Sequence, residues 1–407
     1  MEELKFPEGF KWGSATSAHQ IEGDNHNDWS EWEKTRPPEY RSGKACDSYN
    51  RYEEDFDIAK SLNQNIHRFS IEWSRIEPKE GTFDYEAMYH YVNVVKALRA
   101  RGLEPMITLW HFTNPVWFAE KGGWLNDDSP EIFTRYIKYV VDNLKDRVGL
   151  WITFNEAFTV YAALTKLNAT WPSRGRGIFK FLKMRRNMTR AHILAYQAIK
   201  GIYDVPQDTL DLSNHTSHNV MVGIVENNVY VPDTKSFFGT QLRRLYKQLR
   251  NFYFFKKNVP YYDFIGLNYY HISRKPTFQE KNEIIPKQEF MKEMNWEIYP
   301  EGIYHVIKDL SKFKKPIYIT ENGIADSKDE LREKFIKDHL RWVWQAIHDG
   351  ANVRGYIYWS LLDNFEWAEG FRPRFGLVEV NYQTFERKIR PSALEYAKIC
   401  KENTLIY

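Results

Sequence analysis

Two glutamates stand directly after short apolar runs. Glu156 follows Leu150–Asn155 (LWITFN), and Glu321 follows Ile317–Thr320 (IYIT). One carboxylate at a strand end is commonly a structural hydrogen-bond acceptor. Two, each closing a separate apolar strand, are harder to explain by structure alone. A pair of carboxyl groups in unlike surroundings can protonate a leaving oxygen and stabilise an oxocarbenium-like carbon, which is what cleavage of a glycosidic bond requires. Asn155 brings an amide suited to a sugar hydroxyl beside Glu156. Asn322-Gly323 after Glu321 reads as a turn that ends the strand and presents the carboxylate. Aromatic residues make up 16% of the chain, with 14 Trp, 26 Tyr and 26 Phe. Such flat faces serve core packing and can also stack on the C–H faces of pyranose rings. The pair His215 and His218 has a spacing of three with no third ligand in evidence, so no metal is expected.

The carboxylates need a scaffold that brings strand ends together. Candidate strands lie at Lys11–Ala15, Ile66–Ser70, Glu104–Leu109, Leu150–Phe154, Val220–Val225, Phe264–Tyr269, Ile317–Thr320 and Arg354–Trp359. Between them run helical patterns at Tyr85–Arg101, Pro130–Lys145, Thr189–Tyr203, Gly302–Leu310 and Lys328–Asp349. This alternation over 407 residues predicts a single α/β domain spanning residues 1–407, a (β/α)8 TIM barrel with its site at the C-terminal strand ends. A doubly wound sheet would show a glycine-rich phosphate turn after its first strand, and neither GxGxxG nor a Walker-type loop is present. The residues that follow the strands are polar and aromatic: Gln20 and Glu22, Trp73 and Arg75, Trp110-His111, Asn155-Glu156, Asn268-Tyr269-Tyr270, Glu321-Asn322, and Trp359 with Asp363–Trp367. No strand end offers the lysine that aldol chemistry would need.

Lys plus Arg number 57 and Asp plus Glu 54, a net charge of +3 that argues against a nucleic-acid or other polyanion partner. No run of 18 apolar residues exists, so membrane association is not expected. Residues 1–12, MEELKFPEGFKW, lack a basic stretch followed by an apolar one, so no signal peptide is expected. Cys46 and Cys400 are too few for a disulfide framework and fit a reducing cytoplasm.

The chain resembles glycoside hydrolase family 1, the β-glucosidase and β-galactosidase family. The resemblance rests on FKWGSATSAHQIEG at 10–23, HRFSIEWSRI at 67–76, TFNE at 153–156, GLNYY at 266–270, ITENG at 319–323 and WSLLDNFEWAEGF at 359–371, in family order. The C-terminal half, with ANVRGY at 351–356 and RPSAL at 390–394, looks most like the archaeal-type β-glycosidases. The resemblance implies Glu321 as nucleophile and Glu156 as general acid, then base. It implies that Arg68 and Tyr270 keep the nucleophile ionised and that Asn268 supports the acid end. Gln20, His111, Asn155, Glu366 and Trp367 would hold hydroxyls, Trp359 would form a stacking floor, and Phe375 would line the sugar subsite. The implied activity is retaining hydrolysis of terminal β-D-glucosyl residues, with β-galactosides and β-fucosides also accepted, the two carboxyl groups standing roughly 5 Å apart. A transglycosidase using the same intermediate and, more remotely, a non-catalytic sugar-binding protein are the alternatives. Partners are small β-glycosides or short oligosaccharides, and assembly into a homo-oligomer is left open. No cofactor is implied, since two carboxylates suffice.

Some features depart from the family pattern. Ala157 stands where Pro usually follows the acid/base glutamate. His111-Phe112-Thr113-Asn114-Pro115 replaces an HWDLP-like motif, and its changed residues are expected to face the leaving group. Shortening after the fifth and sixth strands predicts a wider site entrance. Subgroups acting on 6-phospho sugars usually replace the DNFEW glutamate; Glu366 is retained, so unphosphorylated glycosides are expected. Glu72 is read as a structural ion pair with Arg75, and Glu22 as structural. Phe237–Lys257 reads as an outer helix whose apolar residues 238, 242, 245, 246, 249, 252 and 253 pack on the fifth strand, and Lys180–Arg190 as a solvated helix start.

Overall fold

The computed structural model describes residues 2–168, 170–173, 175–204, 220–234, 236–273, 290–291 and 293–407. Eight parallel strands close into a barrel: β1 (Lys11–Ala15), β2 (Ile66–Ser70), β3 (Glu104–Thr108), β4 (Leu150–Asn155), β5 (Met221–Asn227), β6 (Phe264–Asn268), β7 (Ile317–Glu321) and β8 (Val353–Trp359). They pair in chain order, and β8 returns to β1 with Gly355 opposite Lys11. The barrel forms because these strands are apolar on both faces, which is what a sheet covered by helices demands. On β4, Leu150 and Ile152 join the inner cluster with Ala15, Ile66, Met106, Val225 and Ile357. Trp151 and Phe154 pack outward against the helices.

The outer layer comprises α1 (Ser48–Ser61), α2 (Tyr85–Ala100), α3 (Ser129–Leu144), α4 (Ile178–Tyr203), α5 (Phe237–Lys247), α6 (Glu301–Leu310), α7 (Arg332–His348) and α8 (Pro391–Glu402). Local chemistry sets their starts. The Asp84 carboxylate accepts the Ala87 amide at the head of α2, and Pro130 and Pro391 occupy first turns. Along α3 the buried face is Ile132, Phe133, Tyr136, Ile137, Val140, Val141 and Leu144, a 3.6-residue period. α4 begins eleven residues ahead of the expected Thr189. Its basic start is solvated as expected: Lys183 and Arg186 pair with Asp127, and Arg190 pairs with Glu131.

Two expectations are corrected. Arg75 pairs with Glu22 at 2.9 Å, not with Glu72; Glu72 instead accepts the hydroxyls of Ser74 and Thr113 at 2.8 and 2.9 Å. The start of α4, between Trp73 and Ile76, directs Arg75 back toward β1, whereas Glu72 caps that short turn. The apolar face foreseen over 237–257 is also displaced. Phe238, Leu245, Leu249 and Tyr253 are exposed, while Phe252, Phe254 and Phe255 are buried. The cause is a wide π turn at Gln248–Phe252, whose extra residue rotates everything after it by roughly 100° around the helix axis. His215, His218 and most of the shortened loop after β6 lie outside the described residues.

Candidate active site

The C-terminal ends of the strands surround a cavity of ≈ 380 Å³. Gln20, His111, Asn155, Glu156, Tyr270, Glu321, Trp359, Glu366, Trp367 and Phe375 all line it. Arg68 and Asn268 sit directly behind and are almost fully buried. Every residue singled out from the sequence is therefore brought to one place.

Glu321 ends β7. Its Oε1 accepts Arg68 Nη1 at 2.5 Å and its Oε2 accepts the Tyr270 hydroxyl at 2.6 Å. Burial, followed by the charges of Glu321 and Glu156, pushes the Tyr270 phenol well above its ordinary range, so it stays a donor. The Arg68 guanidinium is saturated: Nε donates to Thr108 Oγ1, Nη1 also reaches the Thr320 carbonyl, and Nη2 donates to Asn155 Oδ1 at 2.7 Å. Gly323 lets the chain after Glu321 close on β8: a Cβ there would lie 1.8 Å from the Trp359 carbonyl oxygen.

Asn155 joins the two halves of the site. Its Oδ1 accepts from both Arg68 and Asn268, which turns its Nδ2 toward His111 Nε2 at 3.3 Å. His111 Nε2 is thus the acceptor, and the ring proton lies on Nδ1, which has no hydrogen-bond partner among the described residues. Burial, and then the Arg68 charge, holds the His111 pKa well below its ordinary value, so the ring is neutral.

Glu156 follows β4 in a left-handed conformation, φ 48° and ψ 31°. Its Oε1 accepts Asn268 Nδ2 at 2.6 Å and Asn227 Nδ2 at 3.3 Å. Thr320 Oγ1 donates to Asn268 Oδ1 and so fixes that amide's orientation. Burial first, and then the like charge of Glu321, pushes the Glu156 carboxyl up to about 8 despite these donors. Glu366 is partly accessible from the cavity; its burial against the surrounding protein and the charge of Glu321 push its carboxyl up to about 8 as well. Gln20 Nε2 bridges Asn364 Oδ1, the Phe365 carbonyl and Glu366 Oε2 at 2.9, 2.9 and 3.3 Å. The rings of Trp359 and Trp367 each stack against His111 with centroids 6.0 Å apart.

The outer part of the cavity is lined by Val160, Leu164, Trp171, Met294 and Trp296, together with Arg250. Of the substituted residues after His111, Phe112 alone reaches the lining. Thr113 donates to Glu72. Asn114 accepts both indole N–H groups of Trp110 and Trp124 and donates to Asp28. The expectation that all of them face the leaving group is thus corrected: two carry polar side chains that satisfy buried partners in the wall.

The fifth strand contributed no residue to the sequence reading. In the structure Asn227 reaches Glu156, and the neighbouring Glu226 is 1% exposed. Burial is the main cause that pushes the Glu226 carboxyl up to about 7. The available signal was polar: Glu-Asn-Asn interrupts the apolar run Val220–Val225 at the height of the site. No group of three His, Cys, Asp or Glu side chains among the described residues is arranged to hold a metal ion.

The chain matches glycosyl hydrolase family 1 over residues 2–236 and 245–405. It is 32% identical over 462 aligned residues to β-glucosidase A of Thermotoga maritima, covering 100% of each chain. It is 32% identical to a β-galactosidase of Pyrococcus woesei, with 94% of each covered. Among solved structures, the β-glycosidase from Pyrococcus horikoshii superposes with a TM-score of 0.89 at 39% identity, covering 100% of this chain and 97% of the other. With an eight-stranded barrel, paired strand-end carboxyls and a family match over nearly its whole length, the chain belongs to glycosyl hydrolase family 1 and is a glycoside hydrolase.

Proposed function

We propose that the protein is a retaining β-glycosidase acting on terminal, unphosphorylated β-D-glucosyl and β-D-galactosyl residues, with β-D-fucosides as further substrates. The observation that carries this reading is the unlike company of the two carboxyls. Glu321 is bonded by a guanidinium and a phenol, whereas Glu156 is buried beside like charge and holds its proton to about pH 8. In the first step a Glu321 oxygen bonds to the anomeric carbon as the bond to the aglycone oxygen breaks, and that oxygen takes the proton of Glu156. Esterified Glu321 no longer carries charge, which lowers the proton affinity of Glu156. Glu156 then takes a proton from water as the water oxygen attacks the anomeric carbon and releases Glu321.

Neutral His111 and the Gln20–Glu366 pair supply donors and acceptors for the hydroxyls, and the Trp359 ring gives them a flat floor. Glu366 protonated at neutral pH both donates and accepts. The argument against phosphorylated sugars therefore rests less on its charge than on the lining: Arg250 is its one fixed cation among the described residues, and its guanidinium is engaged by Asn227. The names of the Thermotoga maritima and Pyrococcus woesei relatives support glucosides and galactosides respectively.

The test is hydrolysis of a panel of p-nitrophenyl β-D-glycosides by the wild type, Glu321→Ala and Glu156→Ala. Release from the glucoside that vanishes in Glu321→Ala, and that azide partly restores in Glu156→Ala as a β-glycosyl azide, is the expected result. An α-configured azide product would overturn the retaining reading.

A further inference from the structure

The backbone around Glu156 needs restraint that its own segment does not supply. Glu156 adopts positive φ, which a residue with a side chain rarely takes. The turn that follows, Ala157–Tyr161, is a wide π turn in which the Glu156 carbonyl accepts the amides of Val160 and Tyr161 at 3.2 and 3.0 Å. The amides at the start of such a turn find no partner within it. A proline at its first position would stiffen the backbone, and the residue there is alanine. Glu226, 68 residues on in sequence, reaches across from the end of β5. Its Oε1 accepts the Phe158 amide at 3.0 Å, and its Oε2 accepts the Thr159 amide at 3.2 Å and the Thr159 hydroxyl. One buried carboxylate thus takes three donors from the two residues that lie just beyond Ala157.

We propose that Glu226 is a positioning residue for general acid catalysis: by holding the first amides of the turn after Glu156, it fixes the direction in which Glu156 presents its proton to the leaving oxygen. It is not among the residues that line the cavity, so it acts through Glu156 and not on the sugar. The inference rests on the reading of Glu156 as the acid. A second effect accompanies the first. The charged groups facing Glu226 are Glu156 from β4, Arg185 from α4 and Arg250 from the π turn after α5; those facing Glu156 are Glu226 and, across the cavity, Glu321 and Tyr270. Ionised Glu226 adds like charge near Glu156 and strengthens its hold on the proton.

The experiment compares kcat/KM for 2,4-dinitrophenyl β-D-glucoside, whose phenolate leaves without a proton, and phenyl β-D-glucoside, which needs one. Glu226→Leu should lower the phenyl value about tenfold to a hundredfold and the dinitrophenyl value by no more than about threefold. Adding Ala157→Pro to Glu226→Leu should recover part of the phenyl activity. Glu226→Gln preserves side-chain size and serves where the leucine variant does not fold; it should move the alkaline limb of the phenyl kcat/KM profile to lower pH. Equal losses on both substrates, or a glutamine variant whose pH profile superimposes on the wild type, would overturn the proposal. A wild type inert on both glucosides would instead overturn the hydrolytic reading beneath it.

Discussion

Glu321 and Glu156 share one cavity, but the barrel surrounds them differently. At the end of β7, Glu321 meets a guanidinium from β2 and a phenol from just beyond β6, one on each oxygen. At the end of β4, Glu156 meets two neutral amides on a single oxygen, and beyond them a second buried carboxyl, Glu226. The backbones differ too: Glu321 is the last residue of a paired strand, while Glu156 turns out of its strand at positive φ into a π turn. The comparison teaches that two identical side chains become chemically distinct through their neighbours alone. A charged donor favours the carboxylate; burial with like charge favours the acid. Asn155 ties the two environments together, because the same Oδ1 accepts from Arg68 on one side and Asn268 on the other.

The contrast can be broken by substitution. The largest effect is expected from Glu321→Gln, which removes the attacking oxygen while keeping size: kcat for p-nitrophenyl β-D-glucoside should fall on the order of 10⁵-fold or more. Glu156→Gln should cost about 10²- to 10⁴-fold on phenyl β-D-glucoside but little on the 2,4-dinitrophenyl glucoside. If both substrates suffered equally, the assignment of Glu156 as acid would fail and the asymmetry would be merely structural. Tyr270→Phe removes one hydrogen bond to a charged carboxylate, worth about 1.5–3 kcal/mol, and should lower kcat/KM about tenfold to a hundredfold with the fold intact by circular dichroism.

The smallest effect sharpens the comparison instead of breaking it. The protonated form of Glu156 is the active one, so kcat/KM should be retained below about pH 8 and decline as pH rises through that value. Since the charge of Glu321 is the second cause of the raised affinity, after burial, Glu321→Gln should shift the Glu156 titration to lower pH. Carboxyl-carbon NMR of glutamate-labelled protein reads this directly, and an unmoved titration would show that burial alone sets it.

Much of the scaffold was legible in the chain. Buried parallel strands read as short apolar runs, and each of the eight lies within a residue or two of its expected place, because no solvent-facing side exists to obscure the pattern. Helix bounds were less clear: the first turns of α4 are basic and solvated and carry little apolar period. The face of Phe237–Lys257 was misread because periodicity assumes a regular α-helix, and the π turn at Gln248–Phe252 breaks the phase. Arg75 was assigned to Glu72 because they are close in sequence, whereas its partner Glu22 lies 53 residues away. Glu226 passed unnoticed for the same reason, since its partners Phe158 and Thr159 belong to the preceding strand's loop.

By itself the sequence determined the alternation of strands and helices, the barrel and the identity of the residues at its C-terminal rim, since strand period and strand-end position are local properties. Only the tertiary structure decided which glutamate faces the arginine, which ring nitrogen of His111 bears the proton and why Glu156 stays protonated near neutrality. Proton affinity depends on burial and on charges carried by other strands, and Arg68 reaches Glu321 across 253 residues of chain that only the closed barrel brings together.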